Sequence, residues 1–359
     1  MSAARRRWAA FRANGRAWWS LVLFLSMFCA SLCAEFIAND RPLLVVVNGR
    51  TYLPVLRDHS EREFGGEFDA PADYRDPVVA DFISRNGWAL WPPVRFADAT
   101  INYEAGTFPA PPSRHNWLGT DDQGRDILAR LLYGFRLSVL FGLALTLVGA
   151  SLGIVVGAAQ GFLGGKVDLI GQRMMEVWSG IPVLYLLIIV SSMVRVTFWT
   201  LLAVMLLFGW MRLVPAVRLE FLRGRNLDYV RAARALGVPE WRIMLRHVLP
   251  NAMVAVVTYL PFYLNGSIVT LTSLDFLGFG LPPGYPSLGE LVSQGRGNLH
   301  APWIGCSAFG VLAGLLMLLV FIGEGVRDAF DPTVAAPRAR PDARPANARN
   351  AQAAQEGTA

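Results

Sequence analysis

Charge is scarce in this chain. Of its 359 residues only 17% are charged and 53% are hydrophobic, whereas about a quarter of a soluble domain is charged. That balance excludes an ordinary soluble domain and leaves a membrane protein. Cysteine is scarce too. Cys29 and Cys33 stand one helical turn apart in one apolar run and Cys306 in another. They form no metal or disulfide framework and are expected to be small buried packing residues. The four histidines, His59, His115, His247 and His300, are scattered. No H-E-x-x-H, paired-cysteine site, G-x-S-x-G elbow or Asp-rich pair appears near a membrane face, which argues against an intramembrane enzyme. The GFLGGK at 161–166 misses a phosphate loop, because Gln160 and Val167 stand where Gly and Ser or Thr are required. The chain is therefore expected to carry no cofactor of its own. The interiors of its apolar runs also lack the ionisable residues that ion-driven carriers keep for coupling. Energy for any transport must arrive from another chain.

The net charge of +6 does not point to nucleic acid, because the arginines gather beside apolar runs instead of forming one basic surface. Residues 1–16 are short and basic, and 17–38 form the first apolar span, with Trp18 and Trp19 at its start as an interfacial anchor. A cleaved signal peptide competes here, but the run is longer than a signal core and lacks a clear cleavage site. Residues 39–136 are too polar to span. Leu43–Val47, Asn48-Gly49 and Thr51–Val55 read as a β-hairpin with a type I′ turn, Pro54 confining the second strand to an edge. The rest of this insertion is expected to pack irregularly against the membrane domain. Further spans are expected at 137–163, 170–194, 196–217, 251–274 and 301–323. The second is striped with small residues suited to close helix approach, Pro182 and Pro215 are expected to kink the third and fourth, and Pro261 lies inside the fifth. Residues 275–300 form a Gly/Pro-rich turn. The Ala/Pro/Arg tail at 331–359 has no apolar periodicity and is expected to be disordered.

Between the fourth and fifth spans, 218–250, lies a basic helical hairpin. Tyr229, Ala232, Ala233 and Leu236 recur at i, i+3, i+4 and i+7, one face of a helix, with Arg231 and Arg234 off it. Gly237 stands where a helix wants its C′ residue, and Pro239 fits the first turn of the next helix. Trp241, Met244, Leu245 and Val248 repeat the spacing before Pro250 interrupts it. The plain alternative is a hairpin lying on anionic lipid.

This stretch resembles the "EAA" coupling loop of ABC-importer permeases: Ala232, Ala233, Gly237, Leu249 and Pro250 match in kind and spacing, while Arg231 replaces the usual Glu. Leu118–Asp126, containing Gly119, Thr120, Asp121, Gly124, Arg125 and Asp126, resembles the L-G-T-D-x-x-G-R-D segment of peptide permeases. Locally, Thr120, Asp121 or Asp122 can also cap the helix that follows. Ser273–Gly280, with Asp275, Phe276, Leu277, Gly278 and Gly280, resembles their S-L-x-F-L-G-x-G segment. Over roughly residues 15–333 the chain is similar to dipeptide/oligopeptide ABC-importer permeases, and to the Yej-type (microcin C) subunits in particular through FGGEF at 64–68, ADYRDP at 72–77, NGWALWPP at 86–93 and GEGVRDAFDP at 323–332.

The resemblance implies a type I importer core: an all-α polytopic protein with six transmembrane helices and a small mixed periplasmic insertion between the first two. It implies a second permease as partner, a cytoplasmic ATPase that binds ATP and Mg and docks on the hairpin, and a periplasmic binding protein that delivers a peptide-like cargo. With the N-terminus inside, 20 of the 33 basic residues fall in cytoplasmic segments, against 2 in the short external ones. Both termini and the hairpin are thus expected in the cytoplasm of a bacterial inner-membrane protein. The alternative from another class is a membrane scaffold whose external domain binds a partner.

Overall fold

The structure, a computed structural model, describes residues 3–66 and 68–330; the expected tail lies outside them. A basic helix α1 (Ala3–Ala13) precedes α2 (Gly15–Leu32), whose start is capped by the Asn14 side chain accepting from Ala17 N at 3.3 Å. A short α3 (Ala34–Ile37) then leads into the insertion.

The insertion does not pack irregularly throughout. Strands β1 (Leu44–Val47) and β2 (Arg50–Tyr52) form the expected hairpin, with Asn48 and Gly49 at φ 51° and 73° as a type I′ turn needs. Helix α4 (Pro77–Asn86) follows, capped by Asp76 accepting from Val78 N at 2.8 Å. Strand β3 (Gly87–Leu90), absent from the sequence reading, then pairs antiparallel with β1 to give the order β2-β1-β3. Gly87 is required there, because a Cβ would lie 1.7 Å from the Val46 carbonyl oxygen. Val45, Val47, Phe64, Tyr74, Val79 and Ile83 make a small core of the insertion's own.

Helix α5 (Ile127–Leu163) contains the span expected at 137–163 and begins ahead of it, a few residues after the cap expected at 120–122. Its cap is Asp126, accepting from Ala129 N at 2.8 Å, not Thr120, Asp121 or Asp122. Thirty-seven residues make a rod of about 55 Å, well beyond the hydrocarbon thickness of about 30 Å, so its first turns lie among the insertion. There Ala38, Val94 and Phe96 bury against Ala129 and Tyr133, and the Tyr133 hydroxyl donates to the Ala38 carbonyl at 3.0 Å.

The span expected at 170–194 is two helices, α6 (Gly165–Ser179) and α7 (Val183–Met193), bent by 64°. Pro182 disfavours helix at Ile181 and offers no N–H, which turns the expected kink into a break. Next come α8 (Phe198–Gly209), entered through a Thr197–Thr200 capping box, and α9 (Val214–Gly224). Pro215 sits in the first turn of α9, where it replaces a kink with a start. The hairpin helices are α10 (Asp228–Ala235) and α11 (Glu240–Ile243). A π-helical turn at Met244–Val248 joins α11 to α12 (Leu249–Phe276), so Pro250 starts a helix and does not end one. Pro261 lies inside α12 as expected. The Gly/Pro-rich turn contains α13 (Leu288–Gly297), and α14 (Pro302–Phe330) ends the described chain. Among the described residues five helical stretches are long and apolar enough to cross a membrane, six if the bent pair is counted as one span.

The small residues of α5 do what their spacing suggests. A Cβ at Gly149 would stand 2.1 Å from the Tyr263 hydroxyl, one at Gly153 2.7 Å from the Trp210 carbonyl, and one at Gly157 2.8 Å from Val217. With these glycines, α5 lies directly against α9 and α12, where dispersion between close backbones supplies the attraction that water cannot supply in lipid. The cysteines behave otherwise: Cys29, Cys33 and Cys306 are exposed on the single chain, not buried.

Candidate functional site

Two constellations lie at opposite ends of α5. At its Leu163 end sits the hairpin. Gly237 has φ +75°, Gly237 N donates to Arg234 O at 2.9 Å and Val238 N to Ala233 O at 3.1 Å. This pair of bonds closes α10 on its own carbonyls, with the left-handed residue that glycine takes at no steric cost. Pro239, φ −65°, is the residue before α11. Arg234 locks the corner by donating from Nε and Nη2 to both oxygens of Glu240, at 2.8 and 3.2 Å, while its Nη1 reaches the Arg225 carbonyl at 3.3 Å. The same guanidinium stands 5.5 Å from the ring centroid of Phe162 at the end of α5. Tyr229 donates to the His247 carbonyl at 3.4 Å, and Asn251 donates to Tyr229. The hairpin is a rigid corner.

What seats that corner is not the stripe read from the sequence. Val230, Ile243 and Val248 are buried among Phe221, Ala158 and Phe162. Ala233 and Leu249 are half-buried, whereas Tyr229, Ala232, Leu236 (83% exposed) and Trp241 (57%) point away from the bundle. Met244 is half-buried and Leu245 exposed; Arg231 and Pro250 are exposed. The hairpin therefore presents an apolar ridge with a basic border, and Ala232, Leu236 and Trp241 on it are left uncovered among the described residues.

At the Ile127 end, the two glycine-bearing segments quoted above are brought together. Asp121, with no exposed surface, accepts at Oδ1 from Arg125 N (2.9 Å) and Gln123 N (3.0 Å) and at Oδ2 from Arg125 Nε (2.7 Å). Arg125 continues to Glu290 on α13 (3.1 Å) and to the Pro283 carbonyl (3.1 Å). Arg130, fully buried, donates to Glu290 at 2.6 Å, to the Asp98 and Tyr285 carbonyls, and lies 3.5 Å from Asp121. Two guanidiniums thus clasp the start of α5 to the loop after α12. Burial works against the Arg125 charge, but its hydrogen bond and charge contact with Asp121 outweigh this and raise its pKa. Burial pushes the Asp126 carboxyl up against the opposing hydrogen bonds from Ala129 and Asn116.

Gly119 and Gly124, at φ 79° and 82°, make the tight path into α5; a Cβ on Gly119 would also meet the Ala110 carbonyl at 2.6 Å. Thr120 accepts from Ala110 N at 2.8 Å. Across the clasp, Gly278 (φ 80°) closes α12 with the same pair of bonds seen at Gly237. Asp275 accepts from Leu281 N (2.8 Å) and from Ser287 Oγ (2.5 Å), and Gly280 leaves room for its carboxylate. Phe276 lies under Arg296, 5.1 Å from its guanidinium, and Leu277 is exposed. Sequence reading missed Arg130, Glu290 and Ser287. The available signal was an arginine three positions inside an otherwise apolar helix, which calls for an acid elsewhere.

A bundle of apolar helices closed at one end by a charged clasp, and carrying at the other a rigid hairpin with an exposed apolar ridge, defines a polytopic membrane transport permease. Residues 149–336 match the family described as the binding-protein-dependent transport system inner membrane component. The chain is 60% identical over 330 residues to the inner membrane ABC transporter permease protein YejE of Escherichia coli K12, covering 92% of this chain and 97% of that protein. It is 52% identical over 353 residues to the peptidoglycan transport system permease protein YejE of Agrobacterium fabrum, covering 91% and 92%. It is 32% identical over 227 residues to the oligopeptide transport system permease protein OppC of Bacillus subtilis, covering 62% and 73%. The chain belongs to this family: it is a multi-pass inner-membrane permease subunit of an ABC importer. Membership implies an ATPase partner and a binding protein.

Proposed function

We propose that this chain forms half of the membrane path for peptides or peptide-like compounds entering the cytoplasm. A second, homologous permease supplies the other half. The chain catalyses no reaction; ATP and Mg are held on the separate ATPase, which docks on the 218–250 hairpin. The termini and hairpin face the cytoplasm, and the insertion faces the periplasm, as the arginine distribution supports.

One observation carries the coupling claim: Tyr229, Ala232, Leu236 and Trp241 are exposed on a corner that Gly237 and the Arg234–Glu240 pair hold rigid. An apolar ridge with a basic border, left uncovered among the described residues, is a surface for a partner. The corner is continuous with α12 through the π-helical turn and is tied to the Arg225 carbonyl just after α9. A push on it reaches both helices as a rigid body, and α12 carries it to Asp275 and Ser287 at the clasp. Access would switch between two arrangements of that unit.

The test is co-purification in mild detergent of the tagged chain with its ATPase. Leu236→Asp places a charge on a side chain 83% exposed, so the fold survives while the ridge is spoiled. Loss of the ATPase and of uptake is expected. Retention of the ATPase and normal uptake would remove the ridge from the mechanism.

A further inference from the structure

The insertion holds a cleft of about 560 Å³ that the membrane path leaves unexplained, and Arg75, Arg95 and Arg114 all line it. Two of them are stacked on rings of the same wall, Arg75 at 4.6 Å from the Phe96 centroid and Arg95 at 5.5 Å from that of Trp91. A guanidinium held over a ring face still has N–H groups to offer a planar acceptor. None of the three has a carboxylate partner among the described residues, although Glu104 shares the cleft. Elsewhere in the insertion Arg41 pairs with Asp58, Arg62 with Asp69 and Arg85 with Asp81, while Arg50 and Arg57, like the cleft arginines, have no carboxylate partner among the described residues; what distinguishes the cleft is that three such arginines converge on one cavity. Tyr74 contributes to the same wall, with its hydroxyl closed off from solvent.

We infer that this cleft is a carboxylate-binding site. A carboxylate takes paired bonds from a guanidinium edge. The volume suits one or a few residues of a peptide, not a folded domain. Such a carboxylate has two sources in an importer, the C-terminus of a peptide cargo or an acidic side chain on the delivering binding protein. The inference rests on the proposed function only for naming these two sources.

The experiment uses the whole importer in lipid nanodiscs, unsubstituted, as the Arg75→Gln/Arg95→Gln/Arg114→Gln variant, and as an Arg41→Gln/Arg85→Gln control that removes charge from the same domain. Each is titrated with a fluorescent tripeptide carrying a free C-terminus, with its amidated counterpart, and separately with the purified binding protein. The triple variant should bind at least one free-carboxylate probe on the order of tenfold more weakly, and the control should match the unsubstituted complex. Loss for the free peptide but not the amide assigns the cargo carboxylate; loss for the binding protein alone assigns its acidic side chain. Equal affinity of triple variant and unsubstituted complex for both probes overturns the site. An equal loss in the control also overturns it, because the effect is then bulk charge. A complex that fails to hydrolyse ATP on cargo delivery would count against the importer reading and leave the titrations interpretable.

Discussion

At Arg130 a guanidinium with no exposed surface meets Glu290, Asp121 and two backbone carbonyls. Removing one member of such a buried set leaves the rest uncompensated and costs about 3–5 kcal/mol. Glu290→Ala is therefore expected to lower the unfolding midpoint in detergent markedly. The double variant Arg130→Met/Glu290→Ala is expected to cost less than the sum of its single changes, since the two residues act as one unit. Additive losses in that cycle would show that no clasp exists. Gly280→Ala belongs to the same scale: its Cβ would lie 1.7 Å from Asp275 Oδ1 and displace the carboxylate from Leu281 and Ser287, so the purified protein should melt earlier than the unsubstituted chain. The two segments were legible through their resemblance to those of peptide permeases, but the cap was not: several acceptors stand in a row at 120–126, and Asp126 is the one that holds α5. Nor was the joint destination of the segments. Nothing in the spacing says that Arg125 and an acid 165 positions later share a bond.

Among the elements, legibility followed how local each cause is. The type I′ turn at Asn48-Gly49 and the helix stop at Gly237 depend on backbone conformations of single residues, and both were read from the chain. The helix before the second span was legible to within a few residues from its cap signals, but the roles of Arg130 and Arg136 were not: they pair through tertiary contacts, Arg130 with Glu290 at 2.6 Å and Arg136 with Glu35 at 2.7 Å. Strand β3 escaped because Gly87–Leu90 has no turn signal tying it to β1. The glycines of α5 allow a graded test. Gly157→Leu, forced against Val217 and the Val214 carbonyl, should separate α5 from α9 and reduce the yield of folded chain. Gly310→Ala in α14, with nothing within 4 Å, should leave the isolated chain as stable as before or slightly more so, since Ala is the better helix former. Thermal unfolding of the two proteins in one detergent settles the contrast; equal midpoints would deny α5 its close packing.

For the whole molecule the class was legible from composition, and the proposed orientation from where the arginines lie. It is checked by labelling single cysteines introduced at Leu236 and at Tyr103 in a chain with Cys29, Cys33 and Cys306 replaced. Leu236 and Tyr103 are 83% and 78% exposed. A membrane-impermeant maleimide added to intact spheroplasts should reach position 103 and not 236. The reverse pattern would invert the topology.

The packing of α1 and α2 on α14 has a bearing on manufacture. Asn14 reaches Asp328 across 314 positions at 3.5 Å, and Arg7 lies over the Phe330 ring. At a synthesis rate of about 5–20 residues per second, the first span stands in lipid for on the order of tens of seconds before its neighbour is made. It is also the least apolar of the five long helices. During that interval it has at most α5 beside it, so its α14-facing side is exposed to membrane quality control and free to meet the first span of another nascent copy.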